Sequence, residues 1–62
     1  MDLNGKIAIV TGGAMGNGLG IVQTFLKLKA TVVILDYSDK LKNTLGELIK
    51  ISPNVVGYKV DI

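Results

Sequence analysis

The sequence predicts an α/β fold in which three parallel strands, in the order 3-2-1, are joined by two crossover helices as one half of a doubly wound sheet. Three observations carry that expectation. Two short, continuous apolar and β-branched runs, Ile7-Ala8-Ile9-Val10 and Thr31-Val32-Val33-Ile34-Leu35, read as strands. After each of them, apolar residues recur at helical spacing. The connections are long enough for crossover helices, which makes the sheet parallel and the crossovers right-handed.

Lys6 to Val10 is the first strand, expected to be buried on both faces. Leu19, Val22, Phe25, Leu26 and Lys29 then follow a helical period. The sets Leu19/Val22/Leu26 and Ile21/Phe25/Leu28 give a broadly apolar helix of about three turns. The second strand, Thr31 to Leu35, ends in Asp36. Ser38 is placed to cap a second helix, with Asp39 in its first turn at the positive end of the dipole. Leu41, Leu45, Leu48 and Ile49 mark one face of that helix. Gly46 weakens it by about 1 kcal/mol relative to alanine. Ser52-Pro53-Asn54 stops it, and Val55 to Val60 forms a third strand with Val56, Tyr58 and Val60 on one side.

Composition narrows the function classes. A chain of 62 residues makes at most one domain, and chains of this size bury only ~60% of their unfolded surface. With 48% hydrophobic and 19% charged residues the composition is that of a globular protein. The net charge of +2 comes from seven lysines and no arginine, spread without a cluster. Nucleic-acid binding needs a basic patch or stripe, and base stacking needs more aromatics than Phe25, Tyr37 and Tyr58. No nucleic-acid or membrane partner is expected. The absence of cysteine and histidine excludes disulfides, the usual zinc sites and Cys/His nucleophile systems. The opening residues lack the basic n-region of a signal peptide, so a soluble, cytoplasmic setting is the default.

One segment invites a different reading. Ile7 through Leu26 carries no charge, and Gly12, Gly16 and Gly20 fall at GxxxG spacing. Its glycines, Thr11, Asn17, Gln23 and Thr24 make a poor bilayer helix, and its β-branched opening reads as a strand.

The chemistry lies in Gly12-x-x-x-Gly16-x-Gly18, set between the first strand and the first helix. Gly12 permits a sharp exit from the strand. Gly16 and Gly18 remove side chains where backbone must pass under a pyrophosphate and where helix and sheet pack closely. The helix starting near Gly16 then aims unpaired N–H groups and its dipole at the anion. A tight glycine turn without a ligand is the competing explanation. The spacing excludes a P-loop, because Gly18 is followed by Leu19 rather than lysine, and no register satisfies G-x-G-x-x-G.

Asp36, at the end of the second strand, can accept hydrogen bonds from both ribose hydroxyls of an adenosine. It would repel a 2′-phosphate, which selects NAD over NADP; a solvated turn aspartate is the alternative. Asp61 ends the third strand at the same sheet edge, where it could accept from an adenine amino group or simply be solvated. Tyr58 is expected to pack and Lys59 to lie on a solvated face.

From Gly5 to Asp61 the chain resembles the N-terminal cofactor half of the short-chain dehydrogenase/reductase family. Gly5-Lys6-Ile7-Ala8-Ile9-Val10-Thr11-Gly12-Gly13-Ala14 opens as those enzymes do, and Gly12, Gly16 and Gly18 fall on the family's TGxxxGxG motif. Val33-Ile34-Leu35-Asp36 matches its NAD-selecting acidic end, and Lys59-Val60-Asp61-Ile62 its adenine-gripping segment. The resemblance implies a partial Rossmann-type domain over residues 1–62, NAD as cofactor, and a cofactor set of Gly12, Met15, Gly16, Asn17, Gly18, Asp36, Tyr37, Asp61 and Ile62. Asp36 followed by Tyr37 is similar to 15-hydroxyprostaglandin dehydrogenase-like members.

The chain departs from the family pattern at three points. Asn17 stands where isoleucine is usual, near the nicotinamide-side phosphate. Lys29 replaces the glycine that ends the first helix, so a left-handed cap there would be strained or rearranged. The catalytic serine, the Tyr-x-x-x-Lys pair and the Asn-Ala-Gly segment have no counterpart, and no catalytic residue is assigned. The expected function is the NAD-binding half of an enzyme that moves hydride between NAD and an alcohol or ketone. A non-catalytic nucleotide-binding or interaction module, or a truncated remnant without ligand, stays open. The outer edge of the first strand would present unpaired N–H and C=O groups, so the isolated chain is expected to be unstable or self-associating.

Overall fold

A computed structural model describes residues 2–14 and 16–60. Strand β1 (Ile7–Thr11) leads through the glycine loop to helix α1 (Gly16–Lys27) and strand β2 (Thr31–Asp36). Helix α2 (Leu41–Leu48) and strand β3 (Val55–Lys59) follow. The strands form one sheet in the order β1-β2-β3, and both pairings are parallel. This is the α/β arrangement expected from the sequence.

Strand register decides what each residue faces. Val33 pairs with Ile9 on one side and Val56 on the other, and Leu35 pairs likewise with Thr11 and Tyr58. Burial alternates along β2, with Val32, Ile34 and Asp36 buried between half-buried neighbours. Val32 and Ile34 belong to one core with Val22 and Leu26 of α1, Leu41 and Leu48 of α2, and Val55 of β3. Both helices therefore cover the Val32/Ile34 face of the sheet. Gly57 lies on that face too, where an added Cβ would come within 3.1 Å of Leu41 and closer still to Leu45.

Among the described residues, the opposite face has no such cover. Ile7 is 72% exposed and Ile9 66%, and Val56 and Tyr58 are exposed beside them. The expectation that the first strand is buried on both faces is corrected: β1 packs through Ala8 and Val10 and leaves its isoleucines open. Tyr58 does not pack into the core; it stands on this same open face. The strand also runs one residue later than read from the sequence, starting at Ile7 and taking in Thr11.

Helix α1 buries Val22 and Leu26, with Leu19 and Phe25 partly buried against the core and Ile21 exposed. The uncharged stretch Ile7–Leu26 is thus divided among a strand, a turn and a helix. No helix among the described residues is long and apolar enough to cross a membrane.

Lys29 keeps the left-handed cap despite its side chain, with φ of +72°. Its N–H donates to the Leu26 carbonyl (3.0 Å) and the Ala30 N–H to the Phe25 carbonyl (3.0 Å). That pair of bonds is a Schellman closure. It satisfies the last carbonyls of α1 and turns the chain into β2, at the cost of a strained lysine.

Helix α2 starts later than the sequence suggests. Lys40 occupies the N-cap without a side-chain cap bond, and no acidic residue lies in the first turn. Ser38 and Asp39 belong instead to the preceding turn, because β2 and its hydrogen bonds hold the chain extended through Asp36. Ser38 still serves as a local acceptor: its Oγ takes the Lys40 N–H (3.1 Å) and its carbonyl the Leu41 N–H (3.2 Å).

Two substitutions should stabilise the fold without touching the glycine loop. Lys29→Gly relieves the positive φ, and Gly46→Ala fills open space on α2, where a Cβ would meet nothing within 4 Å. Each should add about 1 kcal/mol, read as a rise of roughly 4–8 °C in the thermal midpoint. Lys29→Ala should give no gain.

Candidate functional site

The site is assembled where β1 and β2 end side by side. At Gly12 the chain leaves β1 with φ of +69°, a conformation that glycine adopts without strain. Its N–H still donates to the Leu35 carbonyl (2.8 Å), so the turn is pinned to β2. Gly13 then passes over the core, where a Cβ would lie 3.0 Å from Ile34 and 3.1 Å from Val22. Gly16 opens α1 with φ of +67°. Gly18 is needed for close approach, because a Cβ there would collide with the Gly12 carbonyl oxygen.

Asp36 closes the site from β2. It is buried, at 5% exposure, with both carboxylate oxygens engaged by backbone N–H groups. Oδ2 accepts the Ala14 N–H (2.9 Å), across 22 residues of sequence, and Oδ1 accepts the Ser38 N–H (2.9 Å). The Ser38 N–H and then the Ala14 N–H hold its carboxyl below the usual carboxylate range, against the opposing effect of burial. Asp36 is therefore ionised at neutral pH and fastens the glycine loop to the sheet.

Around these residues lies an open cavity of about 570 Å³, lined by Gly12, Asp36, Tyr37, Ser38, Asp39 and Lys40. That volume falls within the roughly 300–1,000 Å³ of small-ligand clefts. Three observations test whether a dinucleotide suits it. A Cβ on Gly12 or Gly16 would meet nothing within 4 Å, so bare backbone faces open space at both positions. The first turn of α1 contains no acidic residue to compete with an anion for its N–H groups. The cavity wall carries an ionised carboxylate with acceptor capacity beyond its two backbone bonds. The residues present fit the group.

Of the candidate residues read from the sequence, Gly12, Asp36 and Tyr37 line this one cavity, with Tyr37 71% exposed. Gly16 and Gly18 form the first turn of α1. Asn17 does not line the cavity; it borders a separate depression with Gly20, Ile21, Thr24 and Phe25. Met15, Asp61 and Ile62 lie outside the described residues. Ser38, Asp39 and Lys40 also line the cavity; the sequence marks Ser38 and Asp39 only as a helix start and does not single out Lys40. Their signal was their position directly after Asp36. Asp39 is held below its usual range by a hydrogen bond from Lys59 and then by that ammonium's charge, in an exposed pair.

A sequence profile of the short chain dehydrogenase family matches residues 6–62. Short chain aldehyde dehydrogenase 1 of Euphorbia lathyris is 46% identical over 56 residues, which cover 90% of this chain and 19% of that protein. Among solved structures, the Pseudomonas aeruginosa RhlG/NADP active-site complex superposes with a TM-score of 0.89 at 31% identity, covering 97% of this chain and 24% of that one. A short chain dehydrogenase/reductase from Burkholderia phymatum in complex with NAD gives 0.88 at 26% identity, covering 98% and 22%. The chain thus spans about a fifth to a quarter of the length of these relatives.

The lowered carboxyl of Asp36 sets a pH dependence. A group whose pKa is lower folded than unfolded stabilises the fold above the unfolded value, and that contribution is lost as pH falls through the folded value. The order of the glycine loop should therefore be full above the usual carboxylate pKa of about 3.9 and should fade below it. Asp36→Asn should remove most of this acid transition, because the amide does not titrate, and its NH₂, facing one of the two backbone donors, should loosen the loop at every pH. Amide NMR of Gly12, Gly13 and Ala14 during an acid titration checks this; an unchanged transition in the variant would contradict it.

Proposed function

Because this chain belongs to the short-chain dehydrogenase family, we propose that it binds the adenosine and pyrophosphate portion of NAD, as the N-terminal part of a larger dinucleotide-binding domain. The observation that carries the proposal is Asp36, an ionised, buried carboxylate on the wall of the cavity that the bare backbone of Gly12 also lines. Its unused lone pairs are the acceptors for the two ribose hydroxyls. The N–H groups at the start of α1, around Gly16 and Gly18, receive the pyrophosphate.

NAD is chosen over NADP on charge. A 2′-phosphate would be brought against the Asp36 carboxylate, and the chain has no arginine to offset it. Tyr37, at the exposed rim, supplies an apolar surface for adenine, and with Asp36 it is the support for a 15-hydroxyprostaglandin dehydrogenase-like place within the family. Met15, Asp61 and Ile62 complete the proposed contacts, and Asn17, which lies away from the adenosine cavity, is assigned to the nicotinamide-side phosphate.

When bound, NAD supplies the hydride acceptor, and the whole protein's reaction is hydride transfer between NAD and a secondary alcohol or ketone. The residues of this chain orient the nucleotide end; no residue here is assigned to the reacting atoms. We also infer that separate chains associate through the outer edge of β1 and the open face carrying Ile7 and Ile9, since unpaired strand edges and exposed apolar patches favour pairing.

Fluorescence titration with NADH tests the cofactor assignment. NADH should bind at least tenfold more tightly than NADPH, and Asp36→Ala should weaken NADH binding by tenfold or more. Equal affinity for the two dinucleotides would contradict the selection by Asp36. Absence of binding would favour a ligand-free module or remnant. Sedimentation velocity tests the association: it should depend on concentration and be suppressed by Ile9→Lys.

A further inference from the structure

Thr44 lies on α2, thirty residues from the glycine loop in sequence, and nothing in the spacing of motifs marks it. Its hydroxyl is nevertheless committed to that loop. Thr44 Oγ1 donates to the Ala14 carbonyl (2.9 Å) in a half-buried setting. A threonine in a helix commonly turns its hydroxyl to solvent or back to the carbonyl three or four residues earlier. Thr24 of α1 does so, donating to Gly20 (3.0 Å). Thr44 instead reaches across to another element.

The Ala14 end of this bond is held on its other side as well. Ala14 is 2% exposed, and its N–H donates to Asp36 Oδ2 (2.9 Å). Both polar groups of one loop residue are thus gripped by side chains, one from β2 and one from α2. The circuit then closes on itself. Ser38 N–H donates to Asp36 Oδ1 (2.9 Å), Lys40 N–H to Ser38 Oγ (3.1 Å), and Thr44 N–H to the Lys40 carbonyl (3.0 Å). Asp36, Ser38, Lys40, Thr44 and Ala14 form one continuous ring of hydrogen bonds, and Asp36, Ser38 and Lys40 of this ring line the cavity.

We propose that Thr44 is a positioning residue for the dinucleotide site: by fixing the Ala14 carbonyl toward α2 it locks the peptide planes of the glycine loop and so aims the backbone that receives the pyrophosphate. The role rests on the NAD-binding function proposed above. Two dihedrals set the direction of the chain at Ala14, and a hydrogen bond on each side of that residue removes their freedom before any ligand arrives. Ligand binding then need not order the loop. The ring also couples the loop to the Ser38–Lys40 turn, so the pyrophosphate and ribose ends of the site are held in one frame.

Thr44→Val keeps the shape and branching of the side chain and deletes the donor, and Thr44→Ser keeps the donor. Two readouts are taken on the full chain: hydrogen exchange of the Ala14 amide without ligand, relative to the core amide of Val32, and NADH affinity by fluorescence. Thr44→Val should speed Ala14 exchange relative to Val32 and weaken NADH binding, each by about three- to tenfold, the range of one neutral hydrogen bond. Thr44→Ser should restore both, and Thr24→Val should change neither. Taking exchange as a ratio to Val32 separates loop release from global unfolding. An unchanged ratio in Thr44→Val would overturn the proposal. So would a released loop with NADH affinity unchanged, because the clamp would then not position the site. Failure of the wild-type chain to bind NADH overturns the dinucleotide function and the positioning role with it. Wild-type binding that Thr44→Val leaves intact overturns the positioning role alone.

Discussion

A buried carboxylate accepting two backbone N–H groups is the interaction on which the rest of this small structure depends. Asp36 sits at the end of β2, where the parallel sheet brings it beside the turn out of β1. Three glycines make that turn possible, through positive φ at Gly12 and Gly16 and close approach at Gly18. Those same residues leave the loop without side chains to hold it in place. Asp36 supplies the missing constraint from outside the loop, through Ala14, and its bond to Ser38 carries the constraint on into α2. Burial opposes ionisation of such a group, and the two N–H donors outweigh it. One residue is in this way both the latch of the loop and the charged wall of the cavity.

Much of this was legible in the sequence, for identifiable reasons. The β-branched runs, the helical spacing around Val22 and Leu26, and the spacing of Gly12, Gly16 and Gly18 are local signals, and the elements formed where those signals lay. The left-handed cap at Lys29 was legible as a conflict between position and residue type; the fold kept the cap and accepted the strain. The functions of Asp36 as a latch and of Thr44 as its counterpart were not legible, because both depend on contacts across 22 and 30 residues that no local period reports. The start of α2 was misplaced because Ser38 has the chemistry of a cap, and only the extension of β2 through Asp36 shows that its hydroxyl serves a turn instead.

The misreading of β1 has a different origin. A continuous apolar run announces that both faces avoid water but does not say what covers them. Both helices lie on the Val32/Ile34 face, so Ile7, Ile9, Val56 and Tyr58 form an apolar surface on the other. In relatives four to five times as long, far more chain is available to cover such a surface. The polar ring at the sheet's carboxyl end is by contrast complete within the described residues, each of its links being made by this chain's own groups.

The central claim is that Asp36 holds the loop and receives the nucleotide at the same time. A crystal structure of the chain with NADH tests it most directly. The adenosine ribose hydroxyls should lie within hydrogen-bonding distance of the Asp36 carboxylate while the Ala14 N–H stays bonded to Oδ2 at about its present 2.9 Å. A ribose bound elsewhere, or an Asp36 that releases Ala14 in order to reach it, would contradict the claim.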